Sequence, residues 1–286
     1  MKYGFLKMGL LAGSLIFASG HAWAAEIFYG KFENGDLYKY DTIAGVETLV
    51  GTIAAQGEFF SPGAGSIGMA FSPTGTLYLF SRGTQSLYTI DTATGAATLV
   101  GKAGILAEDL TISLDGSRGF VTADGALYSL NLSTGAATRI GATIVQDGLT
   151  TAPITVTVGG TNYAAGSVFG TDSGGIYAIN TATGAALGIG YSPGVNETFD
   201  FGSDGVLYGH DANGRLTTIN LDTLASTTIF NTTPSGVFGM AVRPSAAVSG
   251  VPEPASWAMM ILGFAAIGST MRRRVALGSA GALPSS

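Results

Sequence analysis

Three carboxylates, Glu108, Asp147 and Glu197, fall at one register when the stretches that precede the copies of an internal repeat are aligned through their Gly turns. Ile67 and Phe238 hold that register in the other two copies. Oxygen-only ligands of this kind suit Ca²⁺ better than a transition metal. Carboxylates brought together also repel, which favours a bound cation or a raised pKa on one of them. The same side chains read equally as a hydrated acidic rim that holds no ion. Asp109 and Asp200 lie close by in sequence.

Other chemistry is sparse. Beyond residue 24 the only histidine is His210, in His210-Asp211-Ala212-Asn213-Gly214, which reads as an exposed turn. A Ser-His-Asp triad would have to use it. The chain has no Gly-x-Ser-x-Gly elbow, phosphate loop or His-Glu-x-x-His. With no cysteine, a zinc site is not expected. Phe59 and Phe60, on the longest connection between repeats, are a candidate ligand loop for a sugar ring or partner. The same aromatics can instead fold inward as a plug.

The elements that must position these residues follow from the repeat. Copies start at Leu37, Leu87, Leu127, Ile176 and Leu216, as in LYTIDTATGAATLVG, LYSLNLSTGAATRIG and IYAINTATGAALGIG. Each is an alternating strand, an Asp or Asn, a short turn usually closed by Gly, and a second strand. The last copy carries Leu224 in place of that Gly. Tyr38, Tyr88, Tyr128, Tyr177 and Tyr208 recur at strand positions and read as packing between repeats.

Another strand pair precedes most copies, so each unit has four strands over 40 to 50 residues, the size of a propeller blade. The first copy lacks its leading strand, and Phe238-Gly239-Met240-Ala241-Val242 matches it after the fifth. The expected fold is therefore all-β: a five-bladed β-propeller over residues 25–245, closed by pairing of its N- and C-terminal strands. A β-sandwich or a solenoid built from the same hairpins is the alternative. The repeat resembles the broad quinoprotein-like and WD40-like propeller group, without a Trp-Asp dipeptide ending the strands. Fold likeness carries no activity by itself.

Both ends of the chain read as targeting segments. Lys2 and Lys7, an apolar stretch from Met8 to Ala18 and Ala22-Trp23-Ala24 form a signal peptide over residues 1–24. At the other end, residues 246–254 are a small-residue spacer reaching Pro252-Glu253-Pro254, followed by Trp257 and Ala258. Residues 255–271 are uncharged and span ~25 Å as a helix, enough for a thin bilayer core. Arg272, Arg273 and Arg274 would hold that end on the cytoplasmic side. A transmembrane helix with its Arg stop over 255–274 and a disordered tail over 275–286 complete the expected layout.

This C-terminal pattern closely resembles the PEP-CTERM sorting signal of Gram-negative bacteria, in its PEPxxWA variant. The resemblance covers about residues 250 to 274. It implies export, tethering in the inner membrane facing the periplasm, and cleavage by an exosortase-type membrane protease, with the product at the cell surface or secreted. The chain departs from the family pattern by adding Val275 to Ser286 after the arginines.

The formal net charge is −6, and the exported part is more acidic still, so no nucleic-acid partner is expected. A rigid ring with few ionisable groups presents loops well and catalyses poorly. The expected function is a non-enzymatic binding or structural module, monomeric and without a cofactor, whose candidate partner is extracellular polysaccharide. The alternative is a hydrolase or lactonase with channel calcium on Glu108, Asp147 and Glu197.

Overall fold

The computed structural model describes residues 25–31, 35–55, 58–59, 67–195, 198–211, 213–232 and 237–244. The signal peptide, the spacer, the sorting motif and the apolar span at 255–271 lie outside the described residues. Among those described, no helix is long and apolar enough to cross a membrane.

Five four-stranded antiparallel sheets form a closed ring, each with its strands in simple radial order. Blade I comprises Val237–Val242, Glu26–Lys31, Asp36–Asp41 and Val46–Thr52, counted from the centre outward. The strand after the fifth repeat thus supplies the missing inner strand, pairing Ile27 with Val242 and Tyr29 with Met240. Blade II holds Ile67–Phe71, Leu77–Ser81, Ser86–Ile90 and Ala97–Lys102. Blade III holds Leu110–Ile112, Gly119–Ala123, Ala126–Leu130 and Ala137–Ala142. Blade IV holds Leu149–Thr151, Val168–Asp172, Gly175–Ile179 and Ala186–Tyr191, with a hairpin of Val156–Val158 and Thr161–Tyr163 inserted after its inner strand. Blade V holds Thr198–Phe201, Leu207–His210, Arg215–Ile219 and Ser226–Asn231.

Strand periodicity explains the core. Successive side chains point to opposite faces of a sheet, and each face of a blade looks at a different neighbour. In blade I, Phe28 packs toward blade II, whereas Ile27 and Tyr29 pack toward blade V. Five apolar clusters result, one in each gap between blades. Outer strands have no such cover, and their side chains are mostly half-buried or exposed.

The turn between third and fourth strands forms as its residues dictate. Asp41, Asp91, Asn131, Asn180 and Asn220 each accept a hydrogen bond on the side chain from the backbone N–H two residues on. This Asx turn fixes the chain reversal. Beyond it every blade repeats one β-bulge, between Leu37 and Tyr38 in blade I and at the matching place in the other four. Tyr38, Tyr88, Tyr128 and Tyr177 share the position at this bulge, where blade V has Thr217. Tyr208 differs: it lies on a second strand opposite Asp200, in the register of Tyr78 opposite Ala70.

Candidate functional site

The inner strands of neighbouring blades adjoin all the way round the ring. One turn of sequence register therefore becomes one tier of the axis. At the start of the inner strands, Glu108 donates its N–H to Thr122 and Asp147 donates its N–H to Thr171, the equivalent bond in the next blade. The aligned register thus places two of the three candidate calcium ligands on one tier. Glu197 lies outside the described residues. Among those described, no three His, Cys, Asp or Glu side chains gather as a metal cluster.

Both placed carboxylates already have partners. Arg82 from blade II forms an ion pair with Glu108, and the Ser173 N–H donates to Asp147 Oδ2 at 2.6 Å. Burial holds the Asp147 carboxyl above its ordinary range, with Asp172 and Glu108 adding repulsion. Phe59 sits in a two-residue strand, Glu58–Phe59, paired with Ala54–Ala55. Phe60 lies outside the described residues.

The next tiers hold two carboxylates that act as staples. Asp109 accepts the Leu149 N–H of blade IV on Oδ2 at 2.7 Å, and also takes backbone donors from Leu110 and from Met69 of blade II. Asp200 accepts the Thr150 hydroxyl of blade IV at 2.7 Å and the Val242 N–H of blade I at 2.8 Å. The inner edge of a blade has backbone donors with no further strand to pair them, and a buried donor left unpaired is costly. These two side chains supply the missing acceptors. Burial pushes both carboxyls up: Asp200 to about 6, and Asp109 well above its ordinary value. Asp109 Oδ1 has no hydrogen-bond partner.

At the opposite end from Glu108, the inner strands open into an axial pocket of about 260 Å³. Its wall is a ring of equivalent positions, Phe71, Ile112, Thr151, Phe201 and Val242, with Asp200 below. Two residues past the end of each strand, Pro73, Leu114, Pro153, Ser203 and Pro244 form its rim. Every blade contributes to both tiers. The alignment that found Glu108 and Asp147 contained this ring four residues on, but apolar strand ends give no chemical signal to pick them out.

His210 is a correction. It ends the second strand of blade V, opposite Thr198, and is 1% exposed rather than being an exposed turn residue. Its Nε2 lies 3.5 Å from the Thr232 hydroxyl, and its Nδ1 has no partner. Burial lowers its pKa to about 4, keeping the ring neutral at physiological pH. The turn begins one residue later, where the Asp211 carboxylate accepts the backbone N–H groups of Asn213 and Arg215.

Solved structures resemble the ring at low identity. A chain in the crystal structure of a nidogen/laminin complex is 12% identical, with TM-score 0.51, over 78% of this chain and all of that one. TolB from Acinetobacter baumannii is 13% identical, with TM-score 0.42, over 77% of this chain and 66% of that one. The first likeness shows the propeller fold and nothing of activity. No curated protein matches the chain. The PEP-CTERM protein-sorting motif matches residues 250–274, so this five-bladed propeller bears the tail of an exported exosortase substrate.

Proposed function

We propose that the exported propeller is a non-enzymatic binding module for extracellular polysaccharide, and that the axial pocket is where the sugar enters. The pocket carries this reading: it is concave, has walls from all five blades, and combines the aromatic residues Phe71 and Phe201 with a few polar groups, as small-ligand sites do. Its volume is below the ~300–1,000 Å³ of sites for drug-sized ligands, which suits one sugar ring or chain end. The hydrolase alternative draws less support, because Arg82 already places a positive charge on Glu108.

The sorting tail sets the setting for this activity. Residues 255–271 tether the chain in the inner membrane with the propeller facing the periplasm, until exosortase cleavage sends it to the surface or medium. A tag after Ser286 tests this. The tag should part from the propeller on fractionation, and recovery of both together in the inner membrane would contradict release.

Glycan-array binding of the full-length chain in detergent tests the module itself. Wild type should give sugar hits that Leu114→Trp abolishes, since Leu114 is a 41% exposed rim residue whose enlargement covers the mouth. Hits retained by that variant would move the site elsewhere, and ester turnover by wild type would favour the hydrolase.

A further inference from the structure

We infer that the axial pocket selects a sugar unit bearing a free ammonium group, such as an unacetylated 2-amino sugar, with the cation held by the Asp200 carboxylate between the rings of Phe71 and Phe201. The inference rests on the pocket being the sugar site and adds the chemistry of its ligand.

Three observations lead to it. First, Asp200 lines the floor of the pocket, yet none of the ion pairs among the described residues involves it. Its oxygens accept from neutral donors, the Thr150 hydroxyl and the backbone of Phe201 and Val242. A buried carboxylate gains most from a cation that fills the remaining lone pairs. A neutral sugar would leave that charge unbalanced.

Second, the walls suit an organic cation better than a metal ion. Calcium takes six to eight oxygens, whereas this wall is Phe71, Ile112, Phe201 and Val242 with the Thr111 and Thr151 hydroxyls. Aromatic faces attract ammonium groups and also pack against the C–H faces of a ring. Phe71 already has a cation near it, since the Arg243 guanidinium carbon lies 5.5 Å from its centroid. Arg243 is ion-paired with Glu26, so it leaves Asp200 unbalanced.

Third, the polar atoms are few and placed on one side. The Thr111 and Thr151 hydroxyls bond each other at 2.9 Å, a pair with lone pairs to spare for sugar hydroxyls. The charged and titratable groups near Asp200 are Tyr208, opposite it on the second strand of blade V, Asp109 from blade III, and Arg243, which follows the Val242 whose N–H Asp200 accepts. Asp200 pushes the Asp109 carboxyl further up, whereas burial is what raises Asp200 itself.

Isothermal titration of the full-length chain in detergent at pH 7, with glucosamine, glucose and N-acetylglucosamine, tests the assignment. Glucosamine should bind at least about tenfold tighter than either neutral sugar, as a charge-assisted bond predicts. Its affinity should fall between pH 7 and pH 5, as Asp200 takes up a proton near 6. Asp200→Asn should remove the preference. Because Asp200 also staples blades, Leu114→Trp, outside the staple, serves as the second variant and should lose all three sugars. If glucose and glucosamine bind equally and both are lost in Leu114→Trp, the ammonium assignment fails while the pocket remains the sugar site. Absence of binding by every sugar at millimolar concentration sinks both. A preference that survives in natively folded Asp200→Asn overturns the role given to the carboxylate.

Discussion

The joints between blades are not alike. Between blades I and II, II and III, and III and IV, a glycine on an outer strand lies directly against the Thr carbonyl of the next blade's turn. A Cβ on Gly51, Gly101 or Gly141 would stand 2.1, 2.0 or 1.9 Å from the oxygen of Thr94, Thr134 or Thr183. At the joint of blades IV and V the incoming residue is a side chain, Leu224, packed on Gly190. At the closing joint the glycine itself is gone: Phe230 stacks on Tyr40 of blade I, with centroids 4.6 Å apart. Three joints are thus set by backbone shape and two by side-chain packing. Backbone contact fixes the spacing of neighbours rigidly, whereas side chains can rotate to take up misfit where the ring must close on itself.

The largest expected effect breaks a rigid joint. Gly141→Val places its Cβ inside the Thr183 carbonyl, and overpacking against backbone should cost about 3 kcal/mol or more. Phe230→Leu, at the matching position of the closing joint, should cost about 1 kcal/mol because a side-chain contact can repack. Urea unfolding of the two variants measures the contrast. Equal losses would mean that the closing joint is as inflexible as the others.

Acid distinguishes the same regions, because Asp200 and His210 both lie in blade V beside the closing joint. Asp200, raised to about 6, binds a proton more readily folded than unfolded. Its penalty of about 3 kcal/mol is fully present above pH 6 and is relieved as pH falls toward the unfolded value near 4. His210, lowered to about 4, has the opposite sign. The unfolded chain takes the proton first, so stability of similar size is lost as pH falls from 6.5 to 4. Relative to wild type, Asp200→Asn should lose stability more steeply between pH 6.5 and 4, and His210→Phe less steeply. Melting curves across that range read the slopes, and parallel slopes in all three proteins would refute the assignment.

Removing the aromatic pair should have a smaller effect. Tyr40 is 4% exposed and Phe230 is half-buried, so Phe230→Ala should cost about 2 kcal/mol, less than a fully buried aromatic. A double-mutant cycle with Tyr40→Ala should recover a coupling of about 0.5–1.5 kcal/mol. Zero coupling would leave the stacking without energetic weight.

How much of this was legible follows from what a repeat encodes. Periodicity and the Asx-Gly turns specify strand order, blade number and the inner strand at Val237–Val242, because each depends on local pattern. The same alignment put Glu108 and Asp147 on one tier. It could not show Arg82 reaching Glu108, since register says nothing of which side chain crosses a gap. His210 was misread because second strands are covered on both faces, so no alternation of polar and apolar residues marks where the strand ends and the turn begins. The axial pocket escaped notice for a related reason: residues such as Ile112 and Val242 look like ordinary strand ends until five of them meet.

Leu224 offers the finest test of the two kinds of joint, because two effects oppose at one residue. It adopts φ +58° where the four other blades have glycine, and a non-glycine residue there costs roughly 1–2 kcal/mol. Its side chain is nevertheless buried between blades IV and V, and truncating a buried leucine costs about 2–5 kcal/mol. Packing therefore outweighs strain, and Leu224→Gly should destabilise by about 1 kcal/mol or somewhat more, despite restoring the residue the repeat prefers. In the background of Gly190→Ala, whose new Cβ would lie 2.4 Å from Leu224 Cδ1, the loss should shrink, because the leucine end must already rotate away from the new methyl and gives up part of its packing. A stabilising Leu224→Gly in the wild-type background would show that blade V is held to its neighbour by backbone fit after all, and the division between the two sets of joints would move to the closing pair alone.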